Sequence, residues 1–269
     1  MSAVSAALPR ATEVRPKISL RDIRVDFTSP EGEPVNVLQH IDLEVPPGQF
    51  VSIVGPSGCG KSTLLRLVSG LVAPSSGEVL IDGEAVARTP ERVGFMFQRD
   101  TLLPWATVEE NIKLGAELAH AAPAAIPGIV ARLIALLRLG GFEKHRPHQL
   151  SGGMRQRVAL GRVLAYEPDI FLMDEPFGAL DAQTKAVMGQ ELLRVWSANQ
   201  RSVIFVTHDI EEAVALSDRV IVLSARPGRI KLDLEIDIDR PRIPSLLRKA
   251  PRFAELTELL WQSLDLGEV

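Results

Sequence analysis

The sequence predicts an α/β fold in which a parallel sheet carries a phosphate-binding loop. Short apolar runs of strand length, several of them ending in polar residues, alternate with segments of helical periodicity, a pattern typical of a buried parallel sheet. The run at 50–54 enters a glycine-rich turn, followed by Lys-Ser-Thr and a helical pattern. Alternating segments near both ends of the chain predict further strands beside this core.

The composition is that of a globular chain with enough apolar residues for a core. The 269 residues are 46% hydrophobic, with a formal net charge of −4, which weakly disfavours a dedicated nucleic-acid surface. Cys59 is the single cysteine, so we expect neither a disulfide framework nor a cysteine zinc site. We therefore expect the protein in a reducing compartment. The most apolar stretch, 114–139, is interrupted by charged residues and prolines and does not predict a membrane span.

Residues 1–17 lack a charged start followed by a long apolar core, so we expect a disordered tail and not a signal peptide. One domain is expected over 18–269. Loose alternation at 18–27 and apolar residues at 37–45 predict an antiparallel β layer beside the nucleotide. Phe27, at the end of the first strand, could either stack on an adenine ring or fill the core.

The turn after residues 50–54 has the spacing and the strand–helix context of a P-loop. Its glycines let backbone N–H groups approach phosphate oxygens, and the following helix adds the positive end of its dipole. Lys61 can reach the β- and γ-phosphates, and the Ser62 hydroxyl is placed to ligate Mg²⁺. The predicted nucleotide-binding residues here are Gly55, Pro56, Ser57, Gly58, Cys59, Gly60, Lys61, Ser62 and Thr63. The chain is therefore expected to bind a nucleoside triphosphate.

Three other apolar runs lead into polar residues: Gln98, Asp174 and His208. Because parallel strands share one carboxyl edge, all three side chains can face one bound phosphate. Asp174 is the expected outer ligand of Mg²⁺, and Glu175 could polarise the attacking water.

The pattern between residues 99 and 165 predicts a helical subdomain. Within it, Ser151 is a good N-cap, and Gly152 and Gly153 leave the first-turn amides open to an anion, although such a sequence alone is more often only a cap. Towards the C-terminus, about 229–266, alternation predicts a strand with one wet face and then an amphipathic helix.

Together these residues resemble the nucleotide-binding subunit of an ATP-binding-cassette (ABC) transporter over roughly 18–223. The matching motifs are the Walker A loop GPSGCGKST, Gln98 as the Q-loop, LSGGMRQR from Leu150 as the signature, IFLMDEP from Ile170 as Walker B, Ala179-Leu180-Asp181 as the D-loop and His208 as the switch histidine. Gly178 stands where many members have serine. The resemblance implies a P-loop NTPase with a RecA-like core and parallel sheet, an antiparallel β subdomain and a helical subdomain.

The resemblance also implies an ATPase with ATP and Mg²⁺ as cofactors. The implied catalytic residues are Lys61, Gln98, Glu175 and His208; the implied Mg²⁺ ligands are Ser62, Gln98 and, through water, Asp174. Phe27 would stack on adenine, Asp181 would contribute to the nucleotide site, and the facing subunit of a homodimer would supply Ser151, Gly152 and Gly153.

Finer features resemble the importers for nitrate, sulfonates and taurine: Leu102-Leu103-Pro104-Trp105, FGALDAQT from Phe177 and LSARPGRI from Leu223. They imply a peripheral protein at the cytoplasmic face of the inner membrane, with a permease contacting residues 102–105, a substrate-binding protein acting indirectly, and no nucleic-acid partner. Residues 102–105 could instead plug the helical core. The alternative function is the ATPase of an exporter, a lipid transporter or a soluble ABC system.

Overall fold

The computed structural model describes residues 15–91, 93–178 and 180–264. No helix in these ranges is both long enough and apolar enough to cross a bilayer. Most of the tail predicted at 1–17, and the last two residues of the segment predicted at 229–266, lie outside the described residues.

The elements alternate along the chain as the periodicity predicts. The strands are β1 (Ile18–Thr28), β2 (Pro34–Val45), β3 (Phe50–Val54), β4 (Ser76–Ile81), β5 (Glu84–Ala85), β6 (Val93–Met96), β7 (Ile170–Asp174), β8 (Ser202–Val206), β9 (Arg219–Leu223) and β10 (Ile230–Glu235). The helices are α1 (Lys61–Val68), α2 (Val108–Leu118), α3 (Ile126–Leu136), α4 (Gly152–Tyr166), α5 (Ala182–Asn199), α6 (Ile210–Leu216), α7 (Pro244–Leu247) and α8 (Pro251–Leu264), with a 3₁₀ turn at Pro147–Gln149.

The central sheet has the order β10-β9-β3-β8-β7-β6. The strands from β9 to β6 pair in parallel, and β10 joins the edge antiparallel to β9. All residues of β3, β7 and β8 are buried, which explains why these strands have continuous apolar runs. The carboxyl ends of β3, β6, β7 and β8 therefore meet at one edge.

A second, four-stranded sheet has the order β2-β1-β4-β5, and its pairs are antiparallel. The buried side chains of β1 and β2 form one apolar cluster with α1 and with one face of the central sheet. This is the antiparallel layer that the alternation predicts, and the α/β fold class is confirmed.

The helices α2, α3 and α4 pack around a cluster of their own that continues to the other face of the central sheet. Helix α2 begins with a capping box: the Thr107 hydroxyl accepts from Glu110 N–H at 3.3 Å, and Thr107 N–H donates to the Glu110 carboxylate at 2.7 Å. Helix α2 then lies close to α4, since a Cβ on Gly115 would come within 2.0 Å of the Arg162 carbonyl oxygen.

The C-terminal segment covers the outer face of α6. Phe253, Leu256 and Leu260 of α8 are buried against α6 and β9. The buried Arg242 guanidinium donates to backbone carbonyls at the end of α6, Val214 and Ser217.

This packing makes Gly115→Ala a test of the α2–α4 contact. Because the added methyl group meets backbone and not a flexible side chain, we expect a loss of about 1–3 kcal/mol in the free energy of unfolding, measured by chemical denaturation. The control is Gly128→Ala in α3, where a Cβ has nothing within 4 Å. It should be neutral or stabilising by up to about 1 kcal/mol. Equal stability of the two variants would contradict the close approach.

A candidate nucleotide site at the edge of the parallel sheet

The P-loop joins β3 to α1, and glycine is required in its curve. Gly60, the N-cap of α1, has a φ of 107°. A Cβ there would lie 2.5 Å from Leu38 Cδ2, so a side chain would displace the buried Leu38 and would also be strained at this φ. Ser57 and Gly58 in the same turn are exposed. The turn can therefore present backbone amides to a ligand.

Lys61 begins α1 with its ammonium held inside the turn. Its Nζ donates to the carbonyl oxygens of Gly55 at 2.7 Å and Pro56 at 2.9 Å, and the residue is only 7% exposed. The loop thus concentrates one positive charge and a helix N-terminus, which together favour a phosphate group.

Ser62 and Asp174 lie together although they are far apart in sequence. The Ser62 hydroxyl donates to Asp174 Oδ1 at 3.0 Å. Burial raises the pKa of the Asp174 carboxyl, and the hydrogen bond from Ser62 opposes that shift. Two hard oxygen donors of the kind that Mg²⁺ prefers are therefore adjacent. Within the described ranges, no group of three His, Cys, Asp or Glu side chains could hold a metal ion by itself.

Glu175 contacts two of the other predicted residues. Gln98 Nε2 donates to Glu175 Oε2 at 3.2 Å, and His208 Nδ1 lies 3.3 Å from the same oxygen. The backbone of Glu175 has a φ of 45°, and its N–H donates to the Val206 carbonyl at 2.9 Å. A positive φ is uncommon for glutamate, and residues held this way cluster at functional sites. The ends of β6, β7 and β8 thus meet at one carboxylate.

The signature residues begin α4, as the sequence predicts. The Ser151 hydroxyl accepts from Met154 N–H at 3.3 Å, and Gly152 and Gly153 form the first turn. Asp181 is the N-cap of α5: its carboxylate accepts from the backbone N–H and the hydroxyl of Thr184, which lower its pKa. Ala179 of the predicted D-loop lies outside the described residues.

Phe27 and Cys59, two of the predicted nucleotide-binding residues, differ in how far they are exposed to solvent. The Phe27 residue is 43% exposed at the end of β1, so its ring is free to stack and does not fill the core. Cys59 is 1% exposed and packs in the cluster between the two sheets, where burial raises the pKa of its thiol. The Cys59 side chain therefore faces the core, and its backbone is the part that belongs to the turn.

Sequence reasoning missed the side chains that attach the Q-loop to α4. Gln156 Nε2 donates to the Gln98 carbonyl at 3.1 Å, and Arg155 Nε donates to Asp100 Oδ2 at 2.8 Å. Arg162 donates to the Thr101 carbonyl at 3.0 Å. The available signal was the polar run Arg155-Gln156-Arg157, on a helix whose other face is apolar. The helix that begins with the signature therefore holds the loop that contacts Glu175.

The comparisons with known proteins agree with this geometry. A family model described as ABC transporter matches residues 38–178. The chain belongs to the ABC transporter family.

Among curated relatives, this ABC protein is 50% identical over 211 residues to an uncharacterized ABC transporter ATP-binding protein of Methanocaldococcus jannaschii, covering 78% of this chain and 79% of the relative. It is 43% identical over 225 residues to an aliphatic sulfonates import ATP-binding protein of Bacillus thuringiensis, covering 84% and 88%. It is 40% identical over 250 residues to the protein of the same name in Bacillus cereus, covering 93% and 96%.

Solved ABC cassettes have the same fold. A dimeric bacterial ABC transporter cassette superposes with a TM-score of 0.74 at 32% identity, covering 82% of this chain and 100% of that one. A cassette in a post-hydrolysis state with ADP and Pi gives a TM-score of 0.73 at 31% identity, with the same coverage. The protein is thus an ABC ATPase that binds and hydrolyses ATP.

One ionisable group close to His208 and Asp209 is not among the residues that the sequence predicts to be functional. Glu212 in α6 accepts a hydrogen bond from the Thr207 hydroxyl. Burial, and secondarily the charge of Asp209, raise its pKa to about 7. The charged groups around it are Lys185, His208, Asp209, Glu211, Arg242 and Arg248. Between its ordinary pKa of 4.5 and about 7, the folded chain keeps a proton that the unfolded chain has released. Stability from this group is therefore lost as pH rises through that window.

Glu212→Gln should remove this pH dependence. At about pH 8 we expect the variant to be more stable than the parent by up to roughly 3 kcal/mol, with the difference shrinking as the pH falls towards 4.5. Chemical denaturation at several pH values measures it, with the exposed neighbour Glu211→Gln as control. Equal parent and Glu212→Gln stabilities at both ends of the range would contradict the raised pKa.

Proposed function

We propose that this ABC ATPase powers an importer for an aliphatic sulfonate or a related small solute such as nitrate or taurine. The observation that carries the catalytic part is the meeting of Gln98 and His208 on the Glu175 carboxylate, beside the Ser62–Asp174 pair. The solute class rests on the sulfonate-import relatives. These relatives also favour import over the alternative of an exporter or a soluble ABC system.

In the proposed reaction, Glu175 is the general base. Its carboxylate accepts a proton from the water that attacks the γ-phosphate, while His208 and Gln98 hold the carboxylate in place. Lys61 and the amides of the turn bind the phosphate oxygens and stabilise the charge that develops on them.

The Mg²⁺ ligands are proposed as Ser62, Gln98 and, through water, Asp174. The site fits this ion because the Ser62 hydroxyl and the Asp174 carboxylate are adjacent, and because Mg²⁺ takes few protein ligands when phosphates and water complete its shell. When bound, the ion would neutralise phosphate charge.

The functional unit is proposed as a homodimer. The solved cassette that this chain resembles is dimeric. In the proposed arrangement, Ser151, Gly152 and Gly153 of one subunit present their helix N-terminus to the nucleotide of the other, and Asp181 lies at the seam. Phe27 stacks on the adenine.

The permease contact is proposed at residues 102–105 and at a groove lined by α2 and α3. Asn111, fully buried, accepts from Leu103 N–H at 2.9 Å and donates to the carbonyls of Leu103, Ala106 and Thr107. These bonds tie the loop to α2. Leu102 is buried, so the core interpretation applies to it, but Trp105 is 70% exposed and does not plug the core.

A groove lined by α2 and α3, which begins at Glu109 after this loop, indicates what kind of segment binds. Its apolar lining includes Ile126, Val130 and Ile134. Its charged lining is mostly acidic and consists of Glu109, Glu110, Glu117, Glu143 and one basic residue, Lys113. An apolar helix of the permease with basic flanking residues would complement both features. This contact would hold the subunit at the cytoplasmic face of the membrane. An extracytoplasmic substrate-binding protein would act through the permease.

The solute is tested by co-purifying the permease and its binding protein with this ATPase in lipid vesicles. We expect ATPase activity to rise with an aliphatic sulfonate, taurine or nitrate on the side of the binding protein, and labelled solute to accumulate. ATPase activity stimulated only by a lipid, or solute movement in the opposite direction, would favour the exporter alternative.

Glu175→Gln tests the general base. The amide keeps the shape but accepts no proton, so turnover should fall about 10²-fold or more, while ATP binding by equilibrium dialysis is retained. Glu78→Gln on the exposed face of β4 is the control and should turn over normally. Turnover of Glu175→Gln within a few-fold of the parent would reject this role.

Trp105→Ala tests the permease contact. Since Trp105 is exposed, the isolated subunit should keep its stability and basal ATPase activity, while assembly with the permease falls by tenfold or more, as for a large aromatic anchor. Leu102→Ala is the matched contrast and should cost about 2–5 kcal/mol of stability. Normal assembly of Trp105→Ala, measured by co-purification, would rule out the anchor.

A further inference from the structure

The segment between β8 and α6, residues 207–209, carries His208 and is called the histidine loop below. Thr207 is its first residue and is 2% exposed. Its hydroxyl oxygen accepts from Asp209 N–H at 3.0 Å, so its single hydrogen is free to be donated, and it is donated to the Glu212 carboxyl on α6. One hydroxyl thus joins the residue before His208 to the residue after it and to the next helix.

Asp209 is held from two further directions. Its carboxylate caps α6 by accepting from Glu212 N–H at 3.2 Å, and it lies 3.6 Å from Lys185 Nζ on α5. The residues on both sides of His208 are therefore bonded to α6, and Asp209 also pairs with α5. The His208 side chain itself is 58% exposed and extends to Glu175, at 3.3 Å.

Glu212 would be an unfavourable choice for packing alone. Its carboxyl is largely removed from water, near the like charge of Asp209, and burial of such a group is costly unless hydrogen bonds offset it. Its neighbours Ala213 and Val214 show that α6 packs apolar side chains without difficulty. The hydrogen bond with Thr207 gives this position a role that an apolar residue could not fill.

We propose that Thr207 and Glu212 are positioning residues of the ATPase site. Their hydrogen bond fixes the histidine loop so that the His208 ring stays beside Glu175. The inference rests on the proposed catalytic roles of His208 and Glu175, and it adds two residues that act through them without touching the nucleotide.

Thr207→Val keeps the shape and removes the hydroxyl. We expect kcat to fall roughly tenfold, which corresponds to about 1.4 kcal/mol, the size of one hydrogen bond. The Kd for ATP should stay near that of the parent, and the melting temperature should fall by only a few degrees, because the Glu212 carboxyl and Asp209 N–H each lose a hydrogen-bond partner. Thr207→Ser, which restores the hydroxyl, should recover most of the lost turnover. The exposed neighbour Glu211→Gln is the control.

Variants of Glu212 provide a second test of the positioning role. Glu212→Leu, which suits a buried position, should lower kcat as Thr207→Val does, and Glu212→Gln, which keeps an acceptor oxygen, should lose less. Because both residues act through one bond, the double variant Thr207→Val/Glu212→Leu should be no slower than either single variant. If Thr207→Val folds poorly, the Glu212→Leu and Glu212→Gln pair answers the question alone.

His208→Ala separates this inference from the proposed function. If His208→Ala loses turnover, and Thr207→Val adds nothing to that loss, the positioning role is supported. If His208→Ala is inactive while Thr207→Val and Glu212→Leu turn over normally, the positioning role is wrong and the proposed function stands. If His208→Ala turns over normally, the proposed role of His208 fails, and the inference with it.

Discussion

The parallel pairing of β3, β8 and β7 is the constraint on which the rest of the structure depends. Every residue of these strands is buried, so their register is fixed by packing on both faces. Their carboxyl ends then deliver the P-loop, Asp174 and the histidine loop to one edge. The contact between Ser62 and Asp174 exists only because of this register, since the two residues lie on different strand–helix units.

The Glu175 carboxylate connects this edge to the helical subdomain. Gln98 donates to it, and the carbonyl of the same Gln98 accepts from Gln156 on α4. Arg155 and Arg162 fasten the next residues of the Q-loop to the same helix. A continuous set of hydrogen bonds therefore connects Glu175 to the helix that begins with Ser151 and to the loop before Leu102.

The side-chain environments were less predictable than the motifs. Cys59 and Lys61 are two residues apart in one motif, yet the thiol packs in the core and the ammonium turns into the loop. Leu102 is buried and Trp105 is exposed within one apolar run, and the buried Asn111 side chain bonds to the backbone of Leu103 between them. Sequence spacing does not determine such differences, since they depend on which neighbouring element covers each residue.

The sequence by itself determined the α/β class, the P-loop and the polar residues at the strand ends, and hence the ABC ATPase. It could do so because glycine turns, helix caps and fully apolar runs are local consequences of backbone sterics and burial. Only the tertiary structure decided that Glu175 is the common partner of Gln98 and His208, and that Thr207 is held by Glu212. The pairing of strands and helices brings these side chains together, and that pairing is a property of the whole packed chain.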